Sequence, residues 1–368
     1  MKLQWMTTLL LTSCISLAGY CGSGAAEMHS PIPLQQEIPP APGYFNGRMW
    51  RLDASASSPL PSHFRTSASA FDLSLPHKLP LPSRKGLDRL RISGSAQPSG
   101  MAIPALARHL KYLASGGPVF LIDLRQESHG FFNGNAVSWY GNRNWANRNK
   151  TTEAVCQDEK ERIQSACGTQ VTVYSLNEEK EPADAEKITV QSASTEEALA
   201  ARAGLHYVRF PITDHTPPSE ATIRQFISFM RSLPPDAWVH FHCEAGMGRT
   251  TTMMILWDIY NNPELPLETI VERQHLIGGA QISLYPQEER KGPWKFNESQ
   301  SRARIIHMFY DTMHSQSASH ADRAYKNRGC ESSFFRNLCF YCAIFLTSSS
   351  DFSLTSLNSL SRQITVIK

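Results

Sequence analysis

The stretch His242-Cys243-Glu244-Ala245-Gly246-Met247-Gly248-Arg249-Thr250 holds a cysteine and an arginine with five residues between them, two of them glycines. A thiol at a helix N-terminus, facing N–H dipoles and a guanidinium, ionises readily, which would make Cys243 a strong nucleophile. Arg249 can grip two oxygens of a tetrahedral oxyanion in a bidentate fork, as a lysine cannot. Thr250 is placed to hydrogen-bond the sulfur and help it leave later. The amides of Glu244, Ala245, Gly246, Met247 and Gly248 would converge on one point, a geometry that favours phosphate. Gly246 and Gly248 are expected to supply the backbone freedom such a nest needs. The alternative is a buried structural cysteine beside an ion-paired arginine.

Thiolate attack on a phosphate ester also needs a proton for the departing oxygen. Phe210-Pro211-Ile212-Thr213-Asp214-His215-Thr216-Pro217-Pro218 reads as a strand end and a Pro-rich loop, a connection able to carry an acid over a site. Asp214 would serve as general acid, then as the base that activates water. Taken alone, it reads more readily as a turn or cap residue before the helix that Ser219 opens; the Cys243 loop beside it favours the acid. The chemistry calls for no metal or cofactor.

These groups need a strand, a tight loop and a helix in that order. Residues 237–242 read as a short buried strand, and residues 249–260 as an apolar helix ending near Asn262-Pro263. Residues 206–210 read as the strand that delivers Asp214, and 219–233 as the next helix. Further helices are expected over 101–115, 267–276 and 298–313. Ser194-Thr195-Glu196-Glu197 is a capping box opening a helix that runs to Gly204. Residues 118–125 form a buried-strand run that carries Arg125, Glu127 and His129 to its carboxyl end, where functional residues gather. An ion pair between Arg125 and Asp123 or Glu127 explains those charges as well. Residues 131–190 are polar, with one clear strand over 171–176. The alternation predicts an α/β fold with a mostly parallel sheet flanked by helices.

With 368 residues, 41% hydrophobic and 19% charged, the chain can build one large core or two modest ones. A formal net charge of +3 is too small to argue for nucleic acid. Met1-Lys2 and the apolar run from Met6 to Ala18 read as a secretory signal over 1–26, with small residues at Gly24-Ala25-Ala26. A lipid-attachment box at Cys14 is the alternative. Residues 27–49 read as a Pro/Ser-rich linker, with order beginning near Trp50. No later run of about 18 apolar residues is present, so no membrane span is expected. Cys156 and Cys167 are candidates for a disulfide after export if the fold brings them together. Cys339 and Cys342 have no second ligand pair spaced to close a zinc site. The sequence leaves the oligomeric state open.

The Cys243 loop, preceded by Thr213-Asp214-His215, resembles the protein-tyrosine-phosphatase superfamily. More narrowly, it resembles the bacterial cysteine phytases. The likeness extends to Phe64-Arg65-Thr66-Ser67, to residues 123–130, to Val137-Ser138-Trp139-Tyr140-Gly141, to Trp145-Ala146-Asn147 and to Arg273-Gln274-His275 with Ile277-Gly278-Gly279. It runs in order from about Trp50 to Tyr325.

The resemblance implies a tyrosine-phosphatase-like domain over 50–323, with a small β-rich subdomain roughly within 130–190. It further implies hydrolysis of phytate and lower inositol phosphates, a protein-tyrosine or phosphoinositide phosphatase and an inactive phosphate-binding module being the alternatives. It suggests phosphate contacts from Arg65, Lys180, Lys295 and Arg302, a place at the substrate for His215, and Glu127 near substrate hydroxyls or structural water. Gln274 would orient the hydrolytic water, a surface glutamine being the alternative. The chain departs from the family at Asn144, where an aspartate is usual, and at Ser299, where a tyrosine is expected. The tail over 324–368 does not match at all.

Overall fold

A computed structural model describes residues 47–287 and 293–327. The expected leader over 1–26, all but the last three residues of the expected linker, and the tail from 328 lie outside them, with Cys14, Cys339 and Cys342. The described residues up to Gln316 make one compact unit, and the helical backbone from Ser317 to Asn327 belongs to another.

In chain order the elements begin with β1 (Arg48–Ala54), β2 (Arg65–Thr66), β3 (Ile92–Ser95), α1 (Ile103–Ala114), β4 (Val119–Arg125), β5 (His129–Phe132) and β6 (Asn135–Gly141). Next come α2 (Thr152–Ala166), β7 (Gln170–Leu176), β8 (Pro182–Thr189), β9 (Ala193–Ser194), α3 (Glu196–Arg202), β10 (His206–Ile212), α4 (Glu220–Ser232) and β11 (Trp238–His242). Last are α5 (Gly248–Asn261), α6 (Leu267–Leu276) and α7 (Pro293–Asn327).

One sheet has the order β10-β4-β11-β3-β2 and is parallel except at the β2–β3 edge. Its middle strands are buried on both faces; β4 reads as a near-continuous apolar run, whereas β3 and β11 also bury Ser93, Ser95, His240 and His242. Within β4 the two-residue period sorts the side chains. Ile122 and Leu124 pack with Phe226 and Met230 of α4 and Met253 and Met254 of α5. Val119 and Leu121 face the other way, onto Leu106 and Leu110 of α1 and Ala200 of α3. In β11, Val239 and Phe241 join the α4/α5 side and Trp238 the α1 side. His242 lies opposite both Ser95 and Asp123. The carboxyl ends of β3 and β11 are therefore level, β4 runs two residues further to Arg125, and the loops leaving them meet at one edge.

The second sheet, β8-β7-β1-β6-β5-β9, is antiparallel apart from the β1–β7 pair. It is the small β-rich part, and it recruits β1 from well before residue 130. Trp50, Phe132, Val137, Trp139 and Val173 pack there with Ile163 and Ala166 of α2. β1 starts two residues before the predicted onset at Trp50, with Met49 fully buried. α2, inside the stretch read as lacking a period, is capped by Thr151, whose side chain accepts the Ala154 N–H. The capping residue of α3 is Thr195 rather than Ser194, which lies in β9.

Cys156 is a free thiol and Cys167 is disulfide-bonded elsewhere, which corrects the pairing considered above. The reason is geometric. Cys156 lies early in α2 and Cys167 caps its end; eleven residues of helix at ~1.5 Å each span ~16 Å, against the ~7 Å limit for bridged Cα atoms.

Phe241 is fully buried two residues before Cys243. Phe241→Ala is expected to cost about 3–5 kcal/mol, read as a lower urea midpoint of the purified protein.

Candidate active site

Cys243 follows β11 directly and is buried, and the Thr250 hydroxyl donates to its Sγ at 3.2 Å. The loop from Glu244 to Met247 is fastened by its carbonyls from outside. The Gln97 N–H donates to Glu244 O at 3.0 Å, His63 Nδ1 to Ala245 O at 2.9 Å and Arg65 to Gly246 O at 2.8 Å. A peptide unit with its carbonyl pulled outward turns its N–H the other way, so three external donors orient the nest. Gly246 is required by its backbone: φ is +71°, and a Cβ there would stand 2.3 Å from Ala96 N and Ser95 C. Gly248 is different from expectation. It begins α5 without a positive φ, and a Cβ there would meet the Arg302 guanidinium at 3.6 Å, ordinary contact distance. Its small size leaves room between α5 and Arg302.

Arg65 is buried, donating to Gly246 O and to the Thr251 hydroxyl at 3.0 Å. It sits behind the loop rather than on an open rim. Burial pulls its guanidinium down to about 10, with the nearby Cys243 sulfur opposing the fall.

Arg249 is held by Glu127 in a fork, Nη1 to Oε2 at 2.8 Å and Nη2 to Oε1 at 2.9 Å. It also donates to Ile212 O at 3.1 Å and lies 3.3 Å from Asp214 Oδ1 through Nε. Glu127 is fully enclosed and takes a further bond from Arg125 Nε at 2.9 Å. Burial alone would raise its carboxyl, but Arg249 and Arg125 override that and hold it well below the usual range. Arg125 is paired in turn with Asp53 at 2.8 Å and donates to the Gln97 amide oxygen at 2.7 Å. Glu127 is thus the ion-pair partner of Arg249 and Arg125, and its oxygens are occupied by protein donors.

Asp214 lies on the loop after β10. The Trp145 indole N–H donates to its carbonyl at 2.8 Å, and Arg302 donates to His215 O at 2.8 Å. Two elements therefore pin the acid loop over the cysteine loop. Burial would raise the Asp214 carboxyl, yet Arg249 first and His215 and Asn144 besides hold it below its ordinary value. His215 is lowered by burial, opposed by Asp214 and reinforced by Arg249, Lys295 and Arg302. Arg302 is itself lowered by burial, with Asp214 and Cys243 among its opposing neighbours. Lys295 is exposed, 5.4 Å from the Trp294 ring, and Trp294 meets His215 edge-on at 5.3 Å. These cations gather on the acid side. Lys180 occupies the β7–β8 turn with φ +66°, and the Tyr140 hydroxyl donates to its carbonyl at 3.4 Å. Glu244 turns its carboxylate toward Arg51 at 3.7 Å.

Gln274 is corrected outright. It is fully buried, and its amide donates to Asp258 at 2.8 Å. Asp258 lies ten residues into α5, ~15 Å along the helix axis, too far to orient water at Cys243. Arg273 shares the same carboxylate and also donates to Ser83 O and Lys85 O. Sequence reading missed Arg51, Asp53, His63 and Gln97, because each acts on a partner far along the chain and none carries a local motif.

The fold is that of the protein-tyrosine-phosphatase-like proteins. Residues 122–260 match the PTP-like phytase family, described by inositol hexakisphosphate. The PTP-like myo-inositol phosphatase of Mitsuokella multacida, solved with myo-inositol-(1,3,4,5)-tetrakisphosphate, is 42% identical, with TM-score 0.70, over 75% of this chain and 48% of that one. A PTP-like phytase of Bdellovibrio bacteriovorus is 29% identical, with TM-score 0.58, over 77% of this chain and 94% of that one. The effector protein hopD2 of Pseudomonas syringae pv. tomato is 30% identical over 221 residues, 58% of this chain and 45% of that protein. The chain resembles the bacterial cysteine phytases, and it spans about half the length of the Mitsuokella and Pseudomonas relatives.

Gly246→Ala is expected to place about 1–3 kcal/mol of strain in the loop and to weaken inorganic phosphate binding about tenfold or more, measured by titration calorimetry. Asp258→Ala leaves Arg273 charged and unpaired in the core, and should cost about 3–5 kcal/mol in chemical denaturation.

Proposed function

We propose that the protein is an exported phosphatase that removes phosphate from myo-inositol hexakisphosphate and lower inositol phosphates through a phosphocysteine intermediate. The observation that carries this reading is the Cys243 thiol at the base of an outward-tied loop, with Arg249 fixed beside it and Asp214 3.3 Å from Arg249.

Phosphate docks on the amides of Glu244 to Arg249. Arg249 braces the in-line transition state, where such preorganised donors do most. Cys243 sulfur bonds to phosphorus as the ester P–O bond breaks, and Asp214 passes its proton to the departing oxygen. Water then attacks phosphorus and gives a proton to Asp214. The S–P bond breaks, with the Thr250 hydroxyl donating to the leaving sulfur. Lys295, Arg302 and His215 on the acid side, with Lys180 on the β7–β8 turn, form a basin for phosphates that are not being cleaved, and Arg65 supports it from beneath the loop. Such a basin suits a multiply phosphorylated ring better than a single phosphotyrosine. Export rests on the leader read over residues 1–26, with lipid attachment at Cys14 as its variant.

Although burial opposes it, Arg249 holds the Asp214 carboxyl below its ordinary value, as a carboxylate. A phosphate dianion engages Arg249 and adds its own negative charge, so Asp214 gains proton affinity when substrate binds. The acid form is the one that works, so kcat for phytate should rise toward weakly acidic pH and fall as pH climbs through the Asp214 value in the complex. Asp214→Asn should lower kcat on phytate by about 10²–10⁴.

The deciding assay is phosphate release from phytate beside a phosphotyrosine peptide, with chelator and reductant, in wild type and Cys243→Ser. Release from phytate that is lost in Cys243→Ser is the expected result. Release from the peptide alone would replace the inositol reading with a tyrosine phosphatase. No release by folded protein would favour a phosphate-binding module.

A further inference from the structure

Asn144 sits in the short turn after β6, with φ +65° and 4% of its surface exposed. Both asparagine and aspartate tolerate this left-handed backbone, so the turn does not choose between them. The charges around it do. Asn144 Nδ2 donates to Glu127 Oε1 at 2.9 Å and to Asp214 Oδ2 at 2.9 Å. One amide nitrogen supplies both its hydrogens to two carboxylates. The flipped amide would press an oxygen against both, so the orientation is fixed by chemistry. Asn144 Oδ1 is buried without a protein partner.

The groups around Asp214 come from every side. Arg249 and Arg302 approach from α5 and α7, Glu127 from beyond β4, Tyr140 from β6 and His215 from its own loop. Arg249 also reaches both Glu127 and Asp214, but as a cation; Asn144 hydrogen-bonds both without bringing charge of its own.

We propose that Asn144 is a positioning residue that aims the Asp214 carboxyl group at the leaving oxygen and keeps its titration separate from that of Glu127. The proposal rests on the reading of Asp214 as the general acid. A carboxylate at position 144 would face two others, raise their proton affinity and invite proton sharing among the three. A side chain without donors would leave Asp214 Oδ2 unheld, with Oδ1 still bound by the His215 N–H at 2.9 Å and beside Arg249, while the cysteine loop keeps its place.

The test measures kcat against pH for Asn144→Asp, Asn144→Ala and Asp214→Asn, on phytate and on 4-nitrophenyl phosphate, whose leaving group needs little protonation. Asn144→Asp should move the high-pH fall of kcat on phytate upward by about one pH unit. Asn144→Ala should lose about 10–100-fold on phytate and less than about threefold on the nitrophenyl ester, since general acid help is what it removes. If both Asn144 variants keep the wild-type pH fall and the wild-type ratio between substrates, or lose both substrates equally, the proposal is overturned. Should Asp214→Asn itself keep wild-type rates on phytate, the general-acid reading fails first and takes this one with it.

Discussion

The bidentate pair between Arg249 and Glu127 is the interaction on which the site depends. Burying two charges costs several kcal/mol per ion before their attraction is counted, so such a pair is poor evidence for stability alone. Its return is geometric. The guanidinium must lie in one plane beside Cys243, and a buried carboxylate with two parallel acceptors fixes that plane. Glu127 can stay ionised there because Arg125 and the Asn144 amide also donate to it. Arg125 in turn leans on Asp53 and Gln97. The chain of partners reaches from β1 to α5 and joins the two sheets at the site.

The loop itself is governed by the same economy of directed bonds. Its amides are free for an oxyanion because its carbonyls are taken by Gln97, His63 and Arg65. The level carboxyl ends of β3 and β11 make this possible: the residues leaving β3 lie close enough to brace the loop leaving β11. Asp214 is delivered two strands away, by β10 beside β4. Trp145 and Arg302 then hold its loop from opposite elements. On the proposed reading, an arriving phosphate would change this balance chiefly through charge, because Arg249 lies 3.3 Å from Asp214.

What could be read from the chain was whatever is local. The strand, the glycine-bearing loop and α5 are contiguous, and a short buried strand before a Gly-x-Gly-Arg turn has few other uses. The Ser219 cap and the helix from α4 onward were legible for the same reason. Long-range partners were not. Arg65 reads as a rim cation until the fold puts Gly246 and Thr251 against it. Gln274 sits beside an arginine whose partner, Asp258, lies fifteen residues away on another helix. α2 escaped notice because its buried stripe of Val155, Glu159, Ile163 and Ala166 is narrow and spends one position on a carboxylate. That carboxylate is bound to Arg209 and the His129 N–H, partners no helical period can foretell. Asn144 showed itself as a departure from the family, but only the two carboxylates beside it explain what an amide does there.

The central claim is that phosphate passes through covalent attachment to Cys243. The direct measurement is rapid-quench mixing of enzyme with ³²P-labelled phytate, followed by peptide mapping of the trapped protein. The account predicts label on the peptide containing Cys243, appearing before the first turnover ends and decaying as free phosphate is released. Steady release of phosphate with no label on Cys243 at any time would contradict it.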